Sequence, residues 1–308
     1  MTKEIEVEKN LTPIRLDLYL KEKLKNYSRK KIAFFIKKGD ILVNSKKVKP
    51  SFLLKGKEKI SIDLKEEKKE LIPLPLKKEP EILYEDKDFL VINKPQGINV
   101  HPNLKNLNKP SIASWLILKY PFLKGVGEDP FRPGIVHRLD KETSGILVIA
   151  KNIKAFFYLK EQFKKRLVKK EYLALVWGSP PFKKGIVDLP LARSKKSPLR
   201  RKVVIKKINE KAKEAITFYE VIKRFKNFTL LKVIPKTGRT HQIRVHFASL
   251  GFPVVGDKEY GKKKNRSLSL KRHFLHAYYL EFKSLTGKTI QIKSNLPEEL
   301  KNFLEKLS

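Results

Sequence analysis

The 308-residue chain has no cysteine and a single methionine. Without cysteine there is no disulfide framework, no thiolate zinc site and no cysteine nucleophile. Long apolar runs are also missing: nowhere do about 18 consecutive residues stay apolar, so no membrane-spanning helix is expected. The polar opening MTKEIEVEKN carries no secretory apolar core, and a cytoplasmic protein is expected. Acidic residues are scarce, 32 Asp and Glu against 70 Lys and Arg, for a formal charge of +38. A small domain is comfortable with a net charge of about 2–8. An excess this large implies a polyanionic partner that relieves self-repulsion. Lysine and glutamate enrichment without cysteine also resembles thermal adaptation, and charge alone does not separate the two causes.

What is present suits two domains. The hydrophobic class makes up 41% of the chain, enough for a sizeable core, and the length fits one large and one small unit. Residues 1–63 hold 17 basic and 8 acidic residues and read as a small domain. Residues 64–78 (LKEEKKELIPLPLKK) are charged, then proline-punctuated, and read as a linker. Residues 79–308 form the larger domain.

In the small domain, Ile14, Leu18 and Leu24 are expected on one helical stripe, widened by Leu16 and Leu20, and Asn26-Tyr27-Ser28 breaks it. Ser28 is placed to cap a helix over Arg29–Lys38, with Ile32, Phe35 and Ile36 inward and Gly39 ending it. Ile41–Val43, an Asn44-Ser45 turn and Lys59–Ile62 complete a helix–helix–hairpin plan. The basic face of the second helix, with Arg29, Lys30 and Lys37, is either a solvated surface or a seat for nucleic acid. Residues 14–63, including Arg15, Ser28-Arg29, Gly39, Val43-Asn44 and Val48-Lys49-Pro50, resemble the alpha-L RNA-binding motif. That resemblance implies RNA binding through this domain but no chemistry.

In the larger domain, Phe89–Ile92 reads as a strand stopped by Asn93-Lys94-Pro95-Gln96-Gly97. Gly134-Ile135-Val136 and Gly145–Ala150 read as two buried strands, with a polar loop, His137–Ser144, between them. Loops of this kind commonly hold catalytic groups. Asn152 is placed to cap a helix whose inward stripe is Phe156, Leu159, Phe163 and Leu167. Glu171–Gly178 reads as a central strand, followed by strands at Ala215–Val221 and Phe228–Ile234. A helix is expected over Thr240–Leu250, capped by Thr240, with Arg244 semi-buried and in need of a carboxylate partner. A strand at Phe274–Phe282, a Thr286-Gly287 hairpin and a helix from Pro297 follow. Strands outnumber crossover helices, which predicts an α+β fold with a mainly antiparallel or mixed sheet flanked by helices.

Several common chemistries drop out. Gly287-Lys288-Thr289 ends like a phosphate loop, but Phe282 stands where its first glycine belongs. Pro130 stands where Gly125-Val126-Gly127 would need a third glycine. His241/His246 and His273/His276 lack the spacing of a helical zinc motif, and no metal or cofactor is expected. Asp140, one of only nine aspartates, lies between Arg138 and Lys141. It reads either as a turn aspartate satisfied locally or as a carboxylate held ionised by guanidinium groups. Next to RNA, such a carboxylate suits the anomeric carbon of a ribose, where bond cleavage has oxocarbenium character.

The string Gly134-Ile-Val-His137-Arg138-Leu139-Asp140-Lys-Glu-Thr-Ser-Gly145 resembles the active-site motif of the RluA-type RNA pseudouridine synthases. In the same order follow the family's other motifs. Lys94-Pro95-x-Gly97 stands upstream, and Lys170-Glu171-Tyr172-Leu173-Ala174 after the helix. Thr237-Gly-Arg-Thr-His-Gln-Ile-Arg244-Val-His246 and Gly256-Asp257-x-x-Tyr260-Gly261 come last. The resemblance spans residues 80–285. It implies a cofactor-free isomerisation of uridine to pseudouridine in RNA, most simply in large-subunit ribosomal RNA, on a flipped-out nucleotide. Asp140 is then the catalytic carboxylate, as nucleophile or base; Arg244 pairs with it, and Tyr172 stacks on the target base. Arg138 steadies the gap left by the flipped nucleotide, and His137 and Lys94 join it on the RNA side. A noncatalytic RNA-binding ribosome-assembly factor is the alternative. A monomer is expected.

Overall fold

The structure is a computed structural model that describes residues 3–9, 11–24, 27–64, 70–103, 106–194, 197, 200–204, 212–261 and 270–307. Asn26, residues 65–69 of the expected linker and the basic run Lys262-Lys263-Lys264-Asn265 lie outside these residues. The chain divides into two compact units, residues 1–69 and 70–308. Residues 70–78, part of the stretch read as a linker, cluster with the second unit, and Leu71 and Leu76 are buried in its core. Among the described residues no helix is long and apolar enough to cross a membrane.

The first unit contains β1 (Lys3–Glu6), β2 (Ile14–Arg15), α1 (Leu16–Lys23), α2 (Arg29–Lys38), β3 (Ile41–Val43), β4 (Leu53–Leu54) and β5 (Lys59–Ile62). The helix α2 follows its sequence signals. Ser28 accepts from the Lys31 amide, Gly39 takes the left-handed conformation that ends a helix, and Ile32, Phe35 and Ile36 are buried. For α1 the expected stripe is corrected: Leu16, Tyr19 and Leu20 face the core, while Leu18 is exposed. The cause is the helix boundary, because Ile14 belongs to β2 and Leu24 lies past the last turn. The expected hairpin is one edge of a three-stranded antiparallel sheet, β1-β5-β3.

The second unit is built on a nine-stranded mixed sheet. Its strands are β6 (Glu81–Glu85), β7 (Phe89–Lys94), β8 (Ser144–Ala150), β9 (Lys169–Trp177), β10 (Lys184–Asp188), β13 (Ile216–Arg224), β14 (Phe228–Pro235), β15 (Leu275–Lys283) and β16 (Thr289–Lys293). A separate ribbon pairs β11 (Leu191–Arg193) with β12 (Arg201–Val203). The spatial order is β10-β13-β14-β9-β15-β8-β7-β6, with β16 on β15. All pairings in this sheet are antiparallel except β15 with β8, which meet in parallel at His276↔Ser144 and Ala277↔Gly145. That short seam joins the two halves of the sheet.

Helices α3 (Ile112–Lys119) and α4 (Ile153–Lys164) pack with β7 and β8, α5 (Gln242–Ser249) lies against β13 and β14, and α6 (Glu298–Glu305) shares a cluster with Leu175, Phe228 and Phe274. No amphipathic period marks α3 in the sequence, because six of its eight residues are buried and the helix is apolar nearly all round. In α4, Asn152 caps as expected, and Phe156 and Leu159 are buried. Leu167 instead lies beyond the helix and is 62% exposed. Gly134–Val136 is not a strand. Its one ladder contact is a bridge from Ile135 to Ile149, so the Asp140 loop is flanked by a strand on one side only.

Candidate active site

The loop that carries Asp140 is fixed at both ends by backbone geometry: ahead of it Gly134 sits at φ 66°, where a Cβ would lie 2.2 Å from the Ala150 carbonyl oxygen. Behind it, Gly145 sits at φ 115°, and a Cβ there would lie 2.2 Å from the Ala277 carbonyl oxygen. Only glycine lets β8 approach β15 this closely. Between these points the loop is pinned residue by residue. Lys94 Nζ donates to the carbonyls of Pro95, Ile98 and Lys141 at 2.8, 3.0 and 3.1 Å, and the Gly97 amide donates to Lys141 as well. Arg272 Nη1 reaches the Glu142 carbonyl at 3.0 Å. Thr143 meets His273 at 2.8 Å, and Ser144 meets His276 at 2.9 Å.

Arg244 enters from α5. The cap position of that helix falls on His241, in the left-handed region at φ 59° and without a side-chain cap, and not on Thr240. The approach to the helix is held instead by Gln242. Its Oε1 accepts from Thr237 and from the Arg239 amide, and its Nε2 donates to Ile216 and Thr217. Arg244 is 5% exposed. Its Nη1 donates to Asp140 Oδ2 at 3.1 Å, Nε and Nη2 go to the two oxygens of Asp257 at 2.7 and 3.0 Å, and Nη2 also reaches Glu259 at 2.6 Å. The guanidinium lies 5.2 Å from the centre of the Tyr260 ring, a cation–π distance. Asp257 is fully buried and accepts the amides of Glu259 and Tyr260 in addition.

Electrostatics favour an ionised Asp140. Burial opposes the charge, but His241 where it is protonated and the Arg244 guanidinium at every pH outweigh it and hold the carboxyl below the ordinary aspartate value. Asp257 is lowered too, against its burial, by the Arg244 bond. Tyr172 shifts the other way: burial first, then the Asp140 charge, raises its pKa and keeps the phenol protonated. Burial drives His273 down to about 3 and leaves it neutral.

A cavity of about 570 Å³ opens beside Asp140, lined by Tyr172, Arg138, His137, Phe163, Lys170 and Ile243 among others. That volume lies in the range that takes a nucleoside-sized ligand. A second cavity of about 380 Å³ touches Asp140 and Arg244 and is rimmed by Arg138, Lys141, Lys258 and Lys271. Arg138 lines both and is exposed. Among the described residues, no group of three or more His, Asp or Glu is arranged to hold a metal ion.

Asp140 and Arg244 are therefore bonded, and Tyr172 and Arg138 share a cavity wall with them. One expected RNA contact is corrected. Lys94 is fully buried, and its three donor bonds serve backbone carbonyls. His137 accepts the Val148 amide at Nε2 (3.0 Å) and stacks on Phe163 at 4.6 Å, so it braces the loop against β8 while its ring also lines the cavity. Arg29, Lys30 and Lys37 are exposed on the first unit. The sequence reading did not assign Asp257, Glu259, His241 or His273 to the site. The demand of Arg244 for a carboxylate was the available signal for Asp257, but it did not say which carboxylate.

Comparison with known proteins gives one answer. Residues 88–249 match the family described as RNA pseudouridylate synthase, and residues 14–60 match the S4 domain. The chain is 40% identical over 303 residues to an RNA pseudouridine synthase of Aquifex aeolicus, covering 94% of this chain and 92% of that one. It is 36% identical over 316 residues to the ribosomal large subunit pseudouridine synthase C of Buchnera aphidicola, covering 98% and 96%. Among solved structures, human RNA pseudouridylate synthase domain containing 1 matches with a TM-score of 0.58 at 27% identity, covering 74% of this chain and 94% of that one.

Proposed function

The chain belongs to the RNA pseudouridylate synthase family and is an RNA pseudouridine synthase; from that premise we propose that it modifies uridines of large-subunit ribosomal RNA, with Asp140 as the catalytic carboxylate. The relative named for the large ribosomal subunit supports the choice of RNA. The observation that carries the site assignment is a carboxylate bonded to a buried arginine at a nucleoside-sized cavity.

In this reading the target uridine leaves its stack, at a cost of a few kcal/mol, and its base lies against Tyr172. Aromatic stacking returns about 1–3 kcal/mol per base. The bond between the ribose anomeric carbon and uracil N1 breaks, with Asp140 either bonding to the anomeric carbon and being displaced when C5 attacks, or taking a proton from the adjacent sugar carbon and returning it. The freed uracil turns within the cavity and forms a new bond from its C5 to the anomeric carbon. The C5 proton then leaves, and N1 ends protonated, so product and substrate are isomers. Arg244 keeps Asp140 ionised and aimed throughout. Arg138 reaches the space the base has vacated.

The test is Asp140→Asn, assayed for pseudouridine in a ribosomal RNA fragment alongside RNA affinity. Product formation is expected to vanish while binding persists; retained turnover refutes the role of Asp140. Mapping pseudouridines in RNA from cells with and without the gene tests the choice of RNA. Unchanged large-subunit sites would refute that choice.

A further inference from the structure

His241 stands beside Asp140 with one ring nitrogen that the fold leaves unused. Its backbone holds the left-handed conformation at φ 59° ahead of α5, a strained state for a residue with a Cβ. The residue lines both cavities at Asp140. Asp140, Arg244, Asp257, Glu259 and Tyr260 surround it. Burial lowers its pKa against the pull of the Asp140 charge and keeps the ring neutral.

The ring proton sits on Nε2, and the neighbours of Nδ1 fix it there. Tyr260 Oη accepts from the Arg201 amide at 2.9 Å, so its own proton is left for His241 Nδ1, also at 2.9 Å. Glu259 Oε2 lies 3.5 Å from the same nitrogen, but Arg244 Nη2 already holds that oxygen at 2.6 Å. A neutral imidazole that accepts at Nδ1 donates at Nε2. Among the described residues Nε2 meets no acceptor within bonding distance; it faces Asp140 Oδ2, 3.9 Å away. That gap is too wide for a direct bond, and a hydroxyl oxygen about 2.8 Å from each atom closes it. Arg244 also addresses Oδ2, and no protein donor among the described residues meets Oδ1.

Resting on the assignment of Asp140 to the sugar, we propose that His241 Nε2–H and Asp140 Oδ2 together bind the 2′-hydroxyl of the target nucleotide, so that His241 distinguishes ribose from deoxyribose. The hydroxyl accepts from Nε2 and donates to Oδ2, a double role that this pair of atoms demands. It is attached to the carbon beside the anomeric one, so a carboxylate working at either carbon finds it within reach. Oδ1 stays open to the reacting carbon. The 2′-hydroxyl is the group by which a protein tells RNA from DNA at a given site.

The test crosses enzyme with substrate. Single-turnover pseudouridine formation is measured for the full chain and for His241→Asn. The RNA is a stem–loop from the mapped ribosomal site, with uridine or 2′-deoxyuridine at the target position alone. Asparagine adopts the left-handed region readily, so the variant should fold; circular dichroism and urea unfolding check this, and His241→Gly replaces it if it does not. Loss of the hydroxyl is expected to slow the unsubstituted chain about tenfold more than the variant, the worth of one hydrogen bond. Equal slowing of both proteins overturns the proposal and leaves His241 a brace for its neighbours. If neither protein converts the deoxy RNA, affinities for the product stem–loop, with pseudouridine or its 2′-deoxy form at the target, decide by the same comparison. Asp140→Asn that still turns over counts against the reading beneath; equal slowing with Asp140 essential counts against His241 alone.

Discussion

Arg244 gives Asp257 two of its nitrogens, Nε at 2.7 Å and Nη2 at 3.0 Å, and Asp140 only one, Nη1 at 3.1 Å. The guanidinium is anchored by a residue that never meets the cavity and aimed from there at one that does. Asp257→Asn should therefore act at a distance. Breaking a buried pair costs about 3–5 kcal/mol of stability, and a misaimed group can cost up to about 100-fold in rate. Single-turnover pseudouridine formation under conditions where the variant is folded measures the second effect. A rate equal to that of the unsubstituted chain would show that Arg244 needs no anchor.

Tyr172 is held protonated by burial and by the Asp140 charge. At neutral pH its phenol is a hydrogen-bonding group and not a preformed base. Tyr172→Phe keeps the stacking face and removes the hydroxyl. RNA affinity is expected to hold while product formation falls by about 10²-fold or more, the usual scale of a lost proton-transfer group. Rapid-quench assays together with binding titrations separate the two. An unchanged rate would assign Tyr172 to stacking alone.

Acid should destabilise the fold before it protonates Asp140. Burial pushes His137 and His273 from 6.5 down to about 3, and His101 and His276 down to about 4. Each stays neutral in the native chain, whereas the unfolded chain takes up a proton as pH falls through 6.5. Their stabilisation is complete above that value and is lost at about 1.4 kcal/mol per pH unit for each histidine between there and its folded pKa. Asp140 and Asp257 are shifted below 3.8; their contribution is present above the unfolded value and is lost only as pH falls below it. Urea midpoints at pH 7.5 and pH 5 check the order of events. A flat midpoint across this interval contradicts the buried neutral histidines, and His276→Asn should flatten part of the slope.

Lys94 uses its three ammonium protons on three carbonyls. Lys94→Met orphans the Pro95 and Ile98 carbonyls at about 1–3 kcal/mol each and leaves the Lys141 carbonyl held by the Gly97 amide alone. Urea unfolding should show the loss, with RNA affinity little changed in conditions where the variant is folded. Normal stability with weakened RNA binding would restore Lys94 to the RNA surface.

Local signals in the sequence carried much of the fold. Ser28, Asn152 and Gly39 act where their chemistry places them, because caps and left-handed turns are decided within a few residues. What failed depended on distant neighbours. The helix α3 is buried all round and so shows no stripe, and β1 gains its identity only from pairing with β5. In the site, Asp140, Arg244 and Tyr172 are legible through ordered motifs, and the fold brings them to one cavity. Lys94 lies within those same motifs, yet it faces inward to brace the loop. A motif marks residues the site needs without saying which of them touch the ligand. Asp257 was present in a quoted motif and had no role until Arg244 was seen to reach it.

The parallel seam between β8 and β15 has a consequence for how the enzyme comes into being. Among the described residues, the strand after Asp140 and the sheet under Arg244 are joined only through residues 275–283, which are translated after both. Asp140 and Arg244 are 104 positions apart, and neither is placed relative to the other until that later strand slots between β9 and β8. Non-local closure of this kind is slow compared with hairpin and helix formation, and domains fold as units once their segments have emerged. A growing chain that already displays its first unit can therefore engage RNA well before it can modify any. On the proposed assignment of Asp140 and Arg244, the catalytic pair exists only when that last central strand is in place.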